Sequence, residues 1–121
     1  MSEKDSLEHI EGLIAKFSMD RDWDQFHTPK NLIMAATSEI GELAELLQWK
    51  SDREIEAFLQ SPEGKQQLSE EIADVAVYLI RLCQKTNIDF VEAIVNKIAV
   101  NEKKYPIEKS KGNAQKYNKL T

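Results

Sequence analysis

Apolar residues recur along this chain at helical spacing, in blocks separated by polar breaks. Leu7, Ile10, Leu13, Ile14 and Phe17 lie three and four residues apart, which predicts an amphipathic helix over about Asp5 to Met19. The Asp-rich stretch MDRDWDQFHTP then breaks the pattern. Thr28-Pro29 ends it with an N-cap residue followed by proline, the residue whose missing N–H costs least at the first helical position. A second helix follows from Pro29 to about Lys50, with Leu32, Ala36, Ile40, Leu43 and Leu47 as its core stripe. Ser51-x-x-Glu54 is a capping box that opens a short third helix, DREIEAFLQ. Ser61-Pro62 starts a fourth helix reaching about Thr86, with Leu68, Ile72, Val75, Leu79 and Leu82 expected on its core face. Asp89-x-x-Glu92 opens a fifth, ending near Tyr105-Pro106. Residues 107–121 have few apolar positions and four lysines, and read as an irregular basic tail.

Composition narrows this to an all-α chain. Four Gly and three Pro in 121 residues leave little punctuation beyond these breaks, and 121 residues argue for a single domain, 1–121. With 41% hydrophobic residues the core is modest, and a thin helical bundle completes its core well by pairing with copies of itself, so a homodimer or homotetramer is expected. The net charge of −5 argues against duplex nucleic acid as a partner, because a phosphate backbone needs a basic face. The longest apolar stretch, IADVAVYLIRLC, is interrupted by Asp74 and Arg81 and is too short to cross a bilayer. The start, MSEKDSLEHIEG, has no apolar core of a secretory signal, and Cys83 is the sole cysteine. A cytoplasmic protein without membrane association is expected. Cys83 on the apolar fourth helix reads as a core residue rather than a nucleophile.

The chemistry lies in two acidic pairs. Helix two carries EIGE, with Glu39 and Glu42 at i and i+3; helix four carries EIAD, with Glu71 and Asp74 at the same spacing. Each pair shares one helix face, where like charges repel. One such pair reads as a solvated face. Two pairs on long helices that also carry apolar stripes suggest helices packed side by side, with four carboxylates aimed at one point. Such a quartet calls for a hard divalent cation: Mg2+, with Mn2+ as substitute. Di-iron bundles supply Glu-x-x-His, and no His follows either pair here. Without metal, mutual repulsion should raise the pKa of at least one of the four.

Aromatic and basic residues extend the pattern. Helical spacing places Trp49 two turns beyond Glu42 and Tyr78 one turn beyond Asp74, while Trp23 and His27 precede helix two. These are flat surfaces and polar edges suited to a nucleobase, though Trp49 and Tyr78 would equally suit a core. Lys97, Asn101 and Lys104 follow one another along the end of helix five, before Tyr105. They can donate to phosphate oxygens, and lysines there also complement the helix dipole.

The stretches RDWDQFHTPKNLIMAATSEIGELAELLQWKSD, LSEEIADVAVYLIRL and KIAVNEKKYP together resemble the MazG-like all-α nucleotide pyrophosphohydrolases, most nearly the dCTP pyrophosphatase branch. The resemblance spans about residues 20 to 117. It implies a four-helix-bundle core with a short extra helix, assembled as a dimer or dimer of dimers. It implies Mg2+ held by Glu39, Glu42, Glu71 and Asp74, which are also the catalytic group. A base pocket would fall on Trp23, His27, Trp49 and Tyr78. Phosphate contacts would fall on Lys97, Asn101, Lys104 and Tyr105, helped by Lys111, Lys116 and Tyr117. Members often carry Arg just before the Tyr-Pro; Lys103 and Lys104 stand here, keeping charge without the bidentate fork. The expected activity is hydrolysis of a (deoxy)nucleoside triphosphate, such as dCTP or a modified deoxynucleotide, to monophosphate and pyrophosphate, as nucleotide-pool house-cleaning. The rival reading is a non-catalytic helical interaction module whose acidic faces meet solvent or a basic partner.

Overall fold

This computed structural model of the protein describes residues 6–120. The described residues are helical throughout their regular elements, as expected. Their elements are α1 (Leu7–Asp20), a 3-10 turn (Asp24–Phe26), α2 (Pro29–Leu47), α3 (Asp52–Gln60), α4 (Pro62–Thr86), α5 (Phe90–Lys104), α6 (Ile107–Ser110) and a second 3-10 turn (Tyr117–Lys119). The chain divides into two compact units, Met1–Asn87 and Ile88–Thr121.

Local chemistry sets the helix ends in the first unit. The side chains of Ser6, Thr28, Ser51 and Ser61 each accept a hydrogen bond from a backbone N–H three residues on, which satisfies a donor the helix itself leaves unpaired. Ser51 and Glu54 complete the capping box in both directions, and this bonding holds the Glu54 carboxyl below its ordinary range. Asn87 ends α4 in the left-handed conformation at φ 57°, which asparagine tolerates better than most residues. Gly64 is buried in the first turn of α4, where an added Cβ would run into the Phe58 carbonyl.

α4 is the organising element of this unit. It packs along α2 over the longest contact and also meets α1 and α3. The buried apolar side chains among the described residues are Ile14, Leu32, Ala36 and Ile80, with Leu32 only 2% exposed. Ser18 is buried beside them because its hydroxyl donates to the Ile14 carbonyl one turn back.

Several boundaries and faces depart from the sequence reading. The expected start at Asp5 lies outside the described residues, and α1 runs one residue past Met19. α2 stops at Leu47 rather than near Lys50. There the Lys50 N–H donates to the Leu47 carbonyl, and its ammonium donates to that of Leu46 and lies 4.8 Å from the centre of the Phe58 ring. Ser51 must be extended to cap α3, so the helix cannot run through it. Of the expected stripes, Ile40, Ile72 and Leu79 are exposed, whereas Arg81, read as an interruption, is 5% exposed.

In the second unit, α5 is capped by Asp89, whose side chain accepts from the Glu92 N–H. Its apolar residues Val91, Ile94, Val95 and Ile98 are all exposed. The tail is more ordered than its composition suggested. It forms α6 and a 3-10 turn, and Tyr117 meets Tyr105 edge-on at 6.3 Å while Lys104 lies 4.8 Å from the centre of the Tyr117 ring. These aromatic and cation–π contacts supply what the missing apolar residues do not.

Candidate active site

The two acidic pairs meet because α2 and α4 lie side by side. Oxygens of Glu39, Glu42 and Glu71 all fall within 4.8 Å of one another. Oε2 of Glu39 and Oε2 of Glu71 are buried without any hydrogen-bond donor. The Glu39 carboxyl is pushed up to about 7, chiefly because the Glu71 carboxyl is close enough to share its proton. Burial adds to this, as do Glu42 and the charge of Asp74. The raised pKa expected of one member of the quartet thus falls on Glu39. Asp74 stands outside the three-oxygen group, near enough for its charge to act on Glu39.

Asp74 instead joins the acidic group to a cleft. The cleft has a volume of about 530 Å³, and one wall is the apolar stripe of α1, including Ile10, Leu13, Ile14 and Phe17. Asp74, Val77, Tyr78 and Arg81 line it from α4, and Trp23 and His27 from the loop before α2. Of these α1 side chains only Ile14 is buried, and Ile10, Leu13 and Phe17 keep exposed surface at the cleft. Trp23 packs edge-on against both Phe17, at 5.5 Å, and His27, at 6.3 Å. This volume and mixed lining suit a small flat ligand.

One basic group organises the cleft, and sequence reading missed it. Arg81 uses all three arms of its guanidinium: Nε donates to His27 Nδ1 at 3.0 Å, one terminal nitrogen to Gln84 at 2.9 Å, and the other to Asp24 at 2.7 Å. Lys85 donates to the same Asp24 oxygen at 2.6 Å, and Gln84 donates in turn to the Glu11 carbonyl on α1. The Lys85 ammonium, with help from Arg81, holds the Asp24 carboxyl below its ordinary range. Burial, then the Arg81 charge, pushes His27 below its ordinary value, so its ring is neutral near pH 7. The available signal was an arginine inside the apolar run IADVAVYLIRLC, opposite an aspartate-rich loop. A buried charge there needs a partner.

Of the residues expected to contact a base, Trp23, His27 and Tyr78 line one cleft together with Asp74. Trp49 does not. It is 86% exposed, because α2 ends before it and the helical spacing that aligned it with Glu42 no longer applies. Lys97, Asn101, Lys104 and Tyr105 belong to the second unit, on α5 and its C-cap. Lys97 is exposed and Asn101 half-buried, and the Asn101 carbonyl accepts from the Tyr105 N–H.

Residues 34–120 match the MazG-like family. The chain belongs to that family. This MazG-like chain is 43% identical over 119 residues to dCTP pyrophosphatase 1 of Mus musculus and 40% identical to that of Homo sapiens. Each alignment covers 98% of this chain and 70% of the relative. A crystal structure of a pyrophosphatase from Archaeoglobus fulgidus is similar at a TM-score of 0.76 and 39% identity, over 83% of this chain and 92% of that one. The MazG-like match includes all four carboxylates of EIGE and EIAD, and it runs through both compact units. Among the described residues, no helix is long and apolar enough to cross a membrane.

Proposed function

We propose that this MazG-like chain is a single-domain nucleoside triphosphate pyrophosphohydrolase, acting on dCTP or a related deoxynucleotide in house-cleaning of the cytoplasmic nucleotide pool. The observation that carries this reading is the junction of a three-carboxylate cluster with an aromatic cleft, in a chain 40–43% identical to dCTP pyrophosphatases. A triphosphate substrate has two unlike ends, and the site offers an acidic end and an aromatic end to match.

The residues fit a divalent cation, and Mg2+ is the one proposed. Glu39, Glu42 and Glu71 would hold it, with Asp74 completing the set. The donors are all carboxylate oxygens, the chemistry magnesium prefers. Two of them are buried with no protein donor, an arrangement that costs free energy unless a cation meets them. When bound, the cation offsets the charge of the triphosphate and lowers the pKa of a coordinated water.

The remaining work falls to side chains of this chain. Trp23 and Tyr78 supply faces on which a base can lie, and His27 a polar edge to read it. The apolar α1 wall excludes water from the base, which strengthens every hydrogen bond made there. Glu39 and Glu42 are the candidate bases toward an attacking water. Phosphate contacts are assigned by family resemblance to Lys97, Asn101, Lys104 and Tyr105, with Trp49 kept as a base contact on the same ground only.

A homodimer or homotetramer is also proposed. Among the described residues four buried apolar side chains make a thin core, while Ile33, Ile40, Ile72 and Leu79 on α2 and α4 are each at least 39% exposed. Light scattering on a sizing column should give twice or four times the 13.9 kDa chain mass. The activity is tested by measuring pyrophosphate release from a panel of nucleoside triphosphates, with and without Mg2+. Release that requires Mg2+ and is fastest with dCTP supports the reading. No release from any nucleotide would favour a non-catalytic interaction module.

A further inference from the structure

Arg81 is a full positive charge, 5% exposed, in the wall of a cleft that is otherwise largely apolar. An arginine there carries a desolvation cost that a leucine would not. Its geometry shows what the charge accomplishes. An arginine Nε can only donate, and its partner here is a ring nitrogen, His27 Nδ1, at 3.0 Å. That nitrogen must therefore be the unprotonated one. In a neutral imidazole the single proton then sits on Nε2.

The guanidinium has no latitude to release this bond. Its other arms are tied to Gln84 and Asp24; Gln84 is tied to the α1 backbone, and Asp24 also to Lys85. The arrangement thus links α1, the Trp23–His27 loop and α4, three of the elements that line the cleft. The charged groups around the ring are Arg81 and Lys85 on α4 and Asp24 in the loop, and Asp74 lines the same cleft.

We propose that Arg81 is a positioning residue that fixes His27 as its neutral Nε2–H tautomer, so that the ring offers the cleft a donor and never an acceptor. This deepens the reading of the cleft as a nucleobase pocket and rests on it. A fixed donor selects a base edge that presents an acceptor, such as the ring nitrogen or carbonyl oxygen of cytosine, and rejects an edge presenting only N–H at that place. Discrimination by a positioned polar group exceeds what an apolar pocket alone achieves, because a mismatch leaves two donors opposed.

The test is the ring itself. Long-range 1H–15N correlation spectra of the uniformly 15N-labelled wild-type protein at pH 7.5 distinguish a protonated from an unprotonated ring nitrogen. The His27 signals, assigned with His27→Gln, should show Nδ1 unprotonated and Nε2 protonated. A protonated Nδ1, or protons on both nitrogens, would overturn the proposal. This readout needs no substrate, so it stands or fails separately from pyrophosphate release. In Arg81→Met the ring should pass to a mixture of tautomers, and KM for dCTP should rise by about three- to tenfold, the worth of one hydrogen bond, with a smaller change in kcat. In a His27→Ala background the same change should leave KM where His27→Ala alone put it. A further rise there would show Arg81 acting by another route and would sink the assignment. If Arg81→Met does not fold, the wild-type spectrum alone decides.

Discussion

Two charged clusters stand in the first unit, and they are built on opposite terms. In the acidic cluster, Glu39, Glu42 and Glu71 crowd within 4.8 Å and two of their buried oxygens receive no hydrogen bond. In the basic cluster, each arm of Arg81 has an acceptor, and Asp24 is shared between Arg81 and Lys85. The first, taken alone, opposes folding by mutual repulsion. The second is complete within the chain. The difference separates a site for a ligand from a frame that holds a site: an unsatisfied charged group needs something from outside, whereas a satisfied one positions its neighbours.

The sharpest way to break this contrast is to remove charge from each cluster in turn. Glu42→Gln or Asp74→Asn should lower pyrophosphate release by about 100-fold or more, the scale on which loss of a charge-stabilising group is felt. The helical circular dichroism should be unchanged, because these side chains do not hold the fold. Near-normal turnover in both variants would remove the acidic cluster from the chemistry. Arg81→Met should have the reverse emphasis, losing about 2 kcal/mol in urea denaturation as its charged hydrogen bonds go and partners are stranded. A fully stable Arg81→Met would show that the frame bears no weight.

A smaller effect tests the sign of the contrast. In the metal-free protein at pH 8, Glu39→Gln should raise Tm, since it removes a charge that its neighbours oppose. Added Mg2+ should raise the Tm of the wild type and leave that of Glu39→Gln nearly unchanged. Differential scanning fluorimetry reads both, and a lower Tm for the metal-free variant would contradict the repulsion.

The two clusters should also respond to pH in opposite directions, the smallest effect of the set. Folded Glu39 keeps its proton to about 7, against 4.5 for an ordinary glutamate. Its contribution to metal-free stability is thus present below about 4.5 and is lost as pH rises through 7. Asp24 is held below its ordinary 3.8, so its contribution is present above that value and is lost only as pH falls below it. Urea denaturation without metal should show stability declining between pH 4.5 and 7. Glu39→Gln should remove that decline.

The sequence carried the helices well because their limits are written in local chemistry. Caps at Thr28, Ser51 and Ser61 formed as read, and the Asp89 side chain accepts from the Glu92 N–H. Glu39, Glu42 and Glu71 were legible for the same reason: i,i+3 spacing on one face survives whatever the tertiary details. What failed depended on events beyond one helix. Trp49 was placed by extending α2 past the point where Lys50 and Ser51 end it. Ile40, Ile72 and Leu79 follow a core period yet remain exposed in the isolated chain, since periodicity marks an apolar face without saying what covers it. Arg81 was passed over because its partners, Asp24 and His27, lie 57 and 54 residues away, and no local pattern reports a contact at that range.

Binding of Mn2+ followed by electron paramagnetic resonance, with wild type and a Glu39→Gln, Glu71→Gln double variant side by side, bears most directly on the convergence of these carboxylates on a metal. Wild-type protein should deplete the sharp signal of aqueous Mn2+ until its sites fill, and dCTP should alter the spectrum of the bound ion; the double variant should leave the aqueous signal intact. Equal uptake by both proteins would place the metal elsewhere and dissolve the proposed site.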